Sequence, residues 1–331
     1  MSAPSRPRPT ASTRRADTGG PAGAGSGRTG RPTTVTTRPL TIGIVGAGRV
    51  GAVLGAALAR AGHRIVAASG VSAATRARLG QLLPDTADLP ADGVARAATD
   101  LLIVAVPDDR IGAVVAGLAD TGVLRPGQVV AHTSGAHGLD VLAPVTAAGA
   151  HPLALHPAMT FTGTAADLAT LPGISYGVTT PDALRPFAAR LVADLGGTPE
   201  WVAEADRALY HAALVHGANH LVTLVNEALD RLRDAGVARP EKVLGPLLRA
   251  SLDNTLRLGD AALTGPVSRG DAGTVARHLA TLAVSAPDSV PGYLALARRT
   301  ADRAIAAGRL RPADAEPLLG VLADRRQEVD A

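Results

Sequence analysis

Apolar residues in this chain fall into short β-branched runs separated by stretches of helical spacing. Thr41-Ile42-Gly43-Ile44-Val45 is the first such run, as expected of a strand buried on both faces. Ala52 to Ala61 then carries helical spacing and is closed by Gly62. A second strand is expected at Arg64 to Ala68, and another over Asp100 to Pro107. Asp109 to Leu118 reads as a helix, Pro126-Gly127 as a turn, and Val129 to Ala131 as a further strand. This alternation with short connections predicts an α/β doubly wound sheet over residues 40–200. Beyond it the strand pattern stops, and an all-helical C-terminal domain is expected over 201–325, opening with a long helix from about Glu204 to Asp234.

The first strand runs straight into Gly46-Ala47-Gly48-Arg49-Val50-Gly51. Alone, a G-x-G-x-x-G is weak evidence. Here a strand precedes it and a helix and second strand follow, which is the setting of a Rossmann dinucleotide site. Gly46 would permit the tight turn, Gly48 the approach of a pyrophosphate, and Gly51 close helix–strand packing. The helix N-terminus would offer free N–H groups to the phosphates. After the second strand the chain reads Ala68-Ser69-Gly70-Val71-Ser72, with Arg76 beyond. Enzymes for NAD usually carry a carboxylate there. Its local absence, with Ser69, Ser72 and Arg76 able to bind a 2′-phosphate and Arg49 beside the phosphates, favours NADP, with NAD the lesser candidate. Val106 and Pro107, ending their strand at the same sheet edge, complete the expected cofactor contacts.

Composition narrows the chemistry. The 331 residues contain no cysteine, which excludes disulfides and thiolate chemistry, and one lysine, Lys242. The formal charge of +4 suggests a polyanion partner at first sight. Seven arginines and one acid fall within residues 1–39, however, and without them the rest is close to neutral. That Pro-, Gly-, Ser- and Thr-rich stretch is expected to be a disordered basic tail, and no specific nucleic-acid binding is expected. No apolar stretch is long enough to span a membrane, so a cytoplasmic protein is expected. His216 and His220 stand i, i+4 without acidic or thiol companions, and no metal site is expected.

Two polar clusters mark the reactive side. One is His132-Thr133-Ser134-Gly135-Ala136-His137; the other runs from His151-Pro152 through His156-Pro157 to Phe161. Both are placed at the sheet edge where nicotinamide and substrate would meet. Ser134 with the Gly135 backbone is a candidate for binding a carboxylate or carbonyl oxygen, and loop-bracing roles compete for His132 and His156. Arg269 is a weaker candidate for a substrate carboxylate, and His278 reads as structural.

Taken in order, G-A-G-R-V-G, Val106-Pro107-Asp108, His132-Thr-Ser-Gly, His156-Pro-x-Met-Thr-Phe, Tyr210-His211-Ala-Ala and Leu263-Thr-Gly-Pro-x-x-Arg-Gly-Asp resemble one family. Its members join a Rossmann-like domain to a C-terminal helical domain of unknown function, and the likeness covers residues 40–325. The family is similar to 6-phosphogluconate dehydrogenase, pyrroline-5-carboxylate reductase and ketopantoate reductase. The resemblance implies an oxidoreductase acting on a small 2-oxo acid, ketopantoate being the specific guess. It also implies a homodimer formed through the C-terminal helices, which complete the active site.

One departure from those relatives matters. Many carry a catalytic lysine on the interdomain helix, and Lys242 lies past that helix. At ~100° per residue, His211, Asn219 and Asn226 would instead share a sector of roughly 80° on it. His211 is then the first candidate for the acid that protonates a carbonyl oxygen, His156 the second, and Asn219 would polarise the carbonyl. Two other readings stay open: hydride exchange with a deazaflavin, and a dinucleotide-binding regulatory protein without turnover.

Overall fold

The computed structural model describes residues 38–323. All but the last two residues of the expected basic tail lie outside the described residues. An eight-stranded sheet organises the first part: β1 (Thr41–Val45), β2 (Arg64–Ala68), β3 (Ala87–Asp88), β4 (Leu101–Val104), β5 (Val129–His132), β6 (His151–Pro157), β7 (Ser175–Thr179) and β8 (Thr198–Trp201). Their spatial order is β3-β2-β1-β4-β5-β6-β7-β8. Every neighbouring pair is parallel except β6 with β7. The first six strands thus have the order of the doubly wound dinucleotide fold, whose direction reverses between β1 and β4.

Helices α1 (Arg49–Arg60), α2 (Ala73–Leu82), α3 (Ala91–Ala97), α4 (Asp108–Asp120), α5 (Ala143–Ala147), α6 (Asp167–Thr170) and α7 (Arg185–Asp194) connect the strands. The sheet is covered on both sides. Ile42 and Ile44 of β1 join one core with Val53, Leu54 and Leu58 of α1. Val45 and Leu102 join the other with Val94, Ile111 and Val115. Two-sided burial is why these strands read as apolar runs without alternation.

Two local expectations change. Helix α1 starts at Arg49, because the last residues of the glycine motif already form its first turn. The second polar cluster is largely strand rather than edge: Val129 to His132 of β5 pair with His151 to Ala154 of β6, and Leu153 to Leu155 are fully buried. Within that cluster, His156 is the histidine near the sheet's C-terminal edge.

Past β8 come α8 (Arg207–Leu214), a π-helical turn (Val215–Asn219), α9 (His220–Asp234), α10 (Pro240–Leu258), α11 (Ala272–Ser285), α12 (Val290–Ala306) and α13 (Pro312–Ala323). The long helix expected from Glu204 thus opens on a 3-10 turn, Glu204–Asp206, and carries a π turn between α8 and α9. Its one-residue insertion breaks the constant advance per residue, so the shared sector of His211, Asn219 and Asn226 does not carry over. A separate core of Val275, Leu279, Leu294, Ala301 and Leu318 holds α11, α12 and α13 together. Helices α9 and α10 stand outside it, with Val222, Leu247 and Leu256 exposed.

The packing of α1 leaves no room at Gly51, where an added Cβ would lie 2.3 Å from Gly46 O. Gly51→Ala should therefore destabilise the chain by about 1–3 kcal/mol, measured by urea unfolding. Gly80, inside α2 with nothing within 4 Å of its missing Cβ, gives the opposite control. Gly80→Ala should stabilise by about 0.5–1 kcal/mol through backbone entropy.

Candidate active site

The glycine turn is built as its sequence required. Gly46 has φ +93°, and a Cβ there would strike the Ala105 carbonyl and Val106. Gly48 faces open space, with nothing within 4 Å of where a Cβ would be. The turn is pinned by Ser69, whose Oγ accepts from Gly46 N at 2.9 Å and whose carbonyl accepts from Ala47 N at 2.9 Å. Ser69 is buried, so it serves the turn rather than presenting a hydroxyl to a ribose phosphate. Ser72 caps α2, its Oγ accepting from Thr75 N at 3.2 Å. Arg49 and Arg76 are exposed, and Pro107 precedes the first residue of α4.

A carboxylate absent from the local sequence arrives from β3. Asp88 Oδ1 accepts from Gly70 N at 3.1 Å, and its Oδ2 lies 3.4 Å from Arg76 Nε. The expectation that no carboxylate stands near this position is corrected: parallel pairing of Ala68 with Asp88 brings one there. On the opposite flank, Asp167 accepts from Gly163 N at 2.7 Å and from Thr162 Oγ1 at 2.8 Å. The loop so braced touches Arg49, and Arg78 Nε donates to Gly163 O at 3.1 Å.

The second half of the site is a histidine cluster held by a buried arginine. Arg207, in the first turn of α8, is 1% exposed. Its guanidinium donates to His137 O at 2.9 Å, Gly177 O at 3.1 Å and the Ser134 carbonyl. It thereby ties the 134–138 loop to β7. Glu204 accepts from Leu139 N at 2.7 Å and Asp140 N at 3.3 Å, and fastens the far end of the same loop.

Ser134 does not have the role expected of it. Its Oγ donates to Asp108 at 2.8 Å and accepts from Ala136 N at 3.2 Å and His137 N at 3.1 Å. It is buried and its hydrogen-bonding capacity is taken up, so it shapes the loop instead of holding a substrate oxygen. His132 is likewise buried, between Gly138 O at 2.8 Å and Ser134 N at 3.2 Å. Burial and the charge of Arg207 hold its pKa down to about 4 despite the Gly138 bond, so it is neutral near pH 7.

His156 and Tyr210 share a 3.0 Å hydrogen bond. Burial, reinforced by the Arg207 charge, lowers the His156 pKa to about 4 as well. A neutral imidazole is a poor proton donor, which weakens the acid role considered for His156. His211 packs edge-on to it at 5.8 Å between centroids and is half-buried. Gly135 separates the two rings: a Cβ there would lie 2.5 Å from His211 Cδ2 and 3.1 Å from His156 Nε2. Thus His156, Tyr210 and His211 come together. Asn219 and Asn226 are exposed on the chain and join no part of this cluster that the hydrogen bonds define.

Sequence reasoning did not single out Asp88, Asp108, Glu204, Arg207 or Tyr210 as site residues. Asp108 opens α4, where an acid reads simply as a helix-dipole partner. Arg207 looks like any charged residue near a helix start. Among the described residues no cluster of three or more histidine or acidic side chains could hold a metal, and His216 and His220 lie with their Nδ1 atoms 3.2 Å apart. No helix of the described residues is long and apolar enough to cross a membrane.

Two sequence families match, a Rossmann-like domain over residues 28–157 and a domain of unknown function, DUF2520, over residues 174–300. The chain joins a Rossmann-like domain to a DUF2520 domain. The DUF2520 match begins beside β7, so the sheet is shared between both. No curated protein matches the chain. Among solved structures, it is similar to a Bacteroides fragilis protein provisionally named an NADP oxidoreductase, with 22% identity, TM-score 0.69, and coverage of 80% of this chain and 98% of that one. An imine reductase from Myxococcus stipitatus in complex with NADP+ is 17% identical, with TM-score 0.56 and coverage of 81% and 95%. A 1-pyrroline-5-carboxylate reductase from Streptococcus pyogenes is 17% identical, with TM-score 0.54 and coverage of 80% and 98%. Likeness at these identities establishes a common fold.

The depressed histidines make stability depend on pH. Their folded-state pKa of about 4 lies below the ordinary 6.5, so the unfolded chain takes up protons first as the solution is acidified. Their contribution is complete above 6.5 and is lost as pH falls towards 4. Urea midpoints should drop across that window, and less steeply in His156→Gln; equal slopes would contradict the assignment.

Proposed function

We propose that this chain is an NADP-dependent oxidoreductase that reduces a small 2-oxo acid, with ketopantoate the first candidate. The observation that carries the reading is the convergence, at one end of the sheet, of an open glycine turn and the His156–Tyr210–His211 cluster. Gly48 leaves the backbone accessible, the first N–H groups of α1 are without intrahelical partners, and Arg49 is exposed at the same turn. These features fit a pyrophosphate. Arg76, near the start of α2 just beyond β2, fits a 2′-phosphate. The NADP+ bound to the Myxococcus imine reductase and the name of the Bacteroides protein support the same cofactor.

The bound nicotinamide would supply the hydride. The protein's part is to place and protonate the substrate. His211, half-buried beside the cluster, is the candidate to hold the proton delivered to the carbonyl oxygen. His156 and Tyr210, joined to each other and kept neutral, would orient that oxygen. Arg207 acts at one remove, by fixing the loop against which His211 packs.

A second reading, reduction of a C=N bond, is favoured by the names of the imine reductase and the pyrroline-5-carboxylate reductase. The same proton donor would then serve nitrogen. A homodimer is also part of the proposal. Leu247, Leu252 and Leu256 on α10 and Val222 on α9 are exposed apolar side chains that a second copy would cover.

Titration with NADPH and NADH, followed by nicotinamide fluorescence, is the deciding experiment. NADPH is expected to bind more tightly, and Arg76→Ala to reduce that preference. Binding of neither would overturn the reading. NADPH oxidation should then appear within a panel of 2-oxo acids and cyclic imines. NADPH binding with no turnover across the panel would favour a regulatory protein instead. In the active pairing, His211→Gln should lower kcat by about 100-fold with little change in NADPH affinity.

For assembly, light scattering should give twice the chain mass, and Leu247→Glu with Leu256→Glu should yield monomer. A wild-type monomer at micromolar concentration would contradict the dimer.

A further inference from the structure

We infer that Asp88 is a specificity-determining residue that competes with the cofactor's 2′-phosphate for Arg76 and so holds the preference for NADPH over NADH below what Arg76 alone would give. The inference rests on the dinucleotide reading above and concerns one question within it, the choice between phosphorylated and unphosphorylated ribose.

The geometry is specific. In this fold the end of β2 is where the adenosine ribose is read, by a carboxylate for free hydroxyls or by an arginine for a phosphate. Here both chemistries occupy the same few ångströms. Asp88 Oδ1 takes the Gly70 N–H at 3.1 Å, directly after β2, while its Oδ2 lies 3.4 Å from Arg76 Nε. The carboxylate is fixed from three sides: its own strand pairs in register with Ala68, Gly70 donates to it, and Arg76 faces it. Arg76 is fixed too, because its backbone and Cγ pack against Gly70, where an added Cβ would lie 2.9 Å from Arg76 Cγ.

Neither partner is buried: Arg76 is 60% exposed and Asp88 41%. An incoming phosphate can therefore reach the guanidinium. To bind it through Nε, the phosphate must displace or share the Asp88 oxygen, and it brings negative charge up to an existing carboxylate. Both effects oppose the phosphorylated cofactor. An unphosphorylated ribose meets no such conflict, since its hydroxyls can donate to Asp88. The nearby Arg78 is drawn instead towards the 162–167 loop, its Nε donating to Gly163 O.

Asp88→Asn removes the charge but leaves an amide oxygen able to accept from Gly70. In this variant NADPH should bind about tenfold more tightly, the scale of one charge-assisted hydrogen bond, while NADH binds equally or more weakly. The gain should vanish in the Asp88→Asn, Arg76→Ala double variant, because the competition needs Arg76. Asp88→Ser, which keeps a small polar group, should shift the preference in the same direction and stands in if the asparagine variant fails to fold.

An unchanged or reduced NADPH-to-NADH preference in folded variants would overturn the inference and leave a plain surface ion pair. So would a gain that survives removal of Arg76. Failure of the wild-type chain to bind either nucleotide is a different result. It would remove the dinucleotide reading itself.

Discussion

The burial of one guanidinium sets the geometry of this site. Arg207 is removed from water and has main-chain carbonyls as its principal partners, contributed by the loop after β5 and by β7. Taking an arginine into a protein interior is costly, and several well-directed hydrogen bonds are required to offset that cost. The bonds in turn dictate where the 134–138 loop lies. They also set the rotation of α8, so that Tyr210 and His211, three and four residues further on, face the sheet edge. The same cation lies near His132 and His156 and adds to the burial that keeps both neutral. A single side chain thus links loop shape, helix orientation and protonation state.

How much of this could be read from the sequence depended on the distance between partners. The glycine turn was legible because its motif is contiguous, even though the atoms that crowd Gly46 belong to Ala105 and Val106, just past β4. The doubly wound sheet was legible because its strands are buried on both faces and read as uninterrupted apolar runs. Asp88 was not, since its meaning comes from strand pairing across an 18-residue gap to Gly70. Arg207 was not, since its carbonyl partners lie 30 to 73 residues away and carry no side-chain signature.

Ser134 and the π turn show two other ways in which sequence reasoning falls short. Ser134 sits in a conspicuously polar cluster, yet that polarity is spent internally on Asp108 and two backbone amides. Polar residues at a sheet edge are as able to build the edge as to bind a ligand. The π turn at Val215–Asn219 defeats any helical-wheel argument that crosses it, and no residue type within it announces the extra residue. His211 precedes the π turn and lies between the His156 ring and the Gly135 backbone.

Three glycines receive the start of the interdomain helix. Gly138 lies against Glu204, Gly177 against Tyr210 and Gly135 against His211, each so closely that a methyl group would collide. They work as sockets, and three sockets spread along two helical turns resist both sliding and rolling. Any hinge between the sheet and the helical bundle that left residues 204–211 seated would have to bend farther along. The π turn and the 235–239 connection before α10 are the first places where the main chain departs from regular α-helix. The reactive cluster would then ride with the nucleotide-facing sheet during such a motion, and the bundle would be the part that swings.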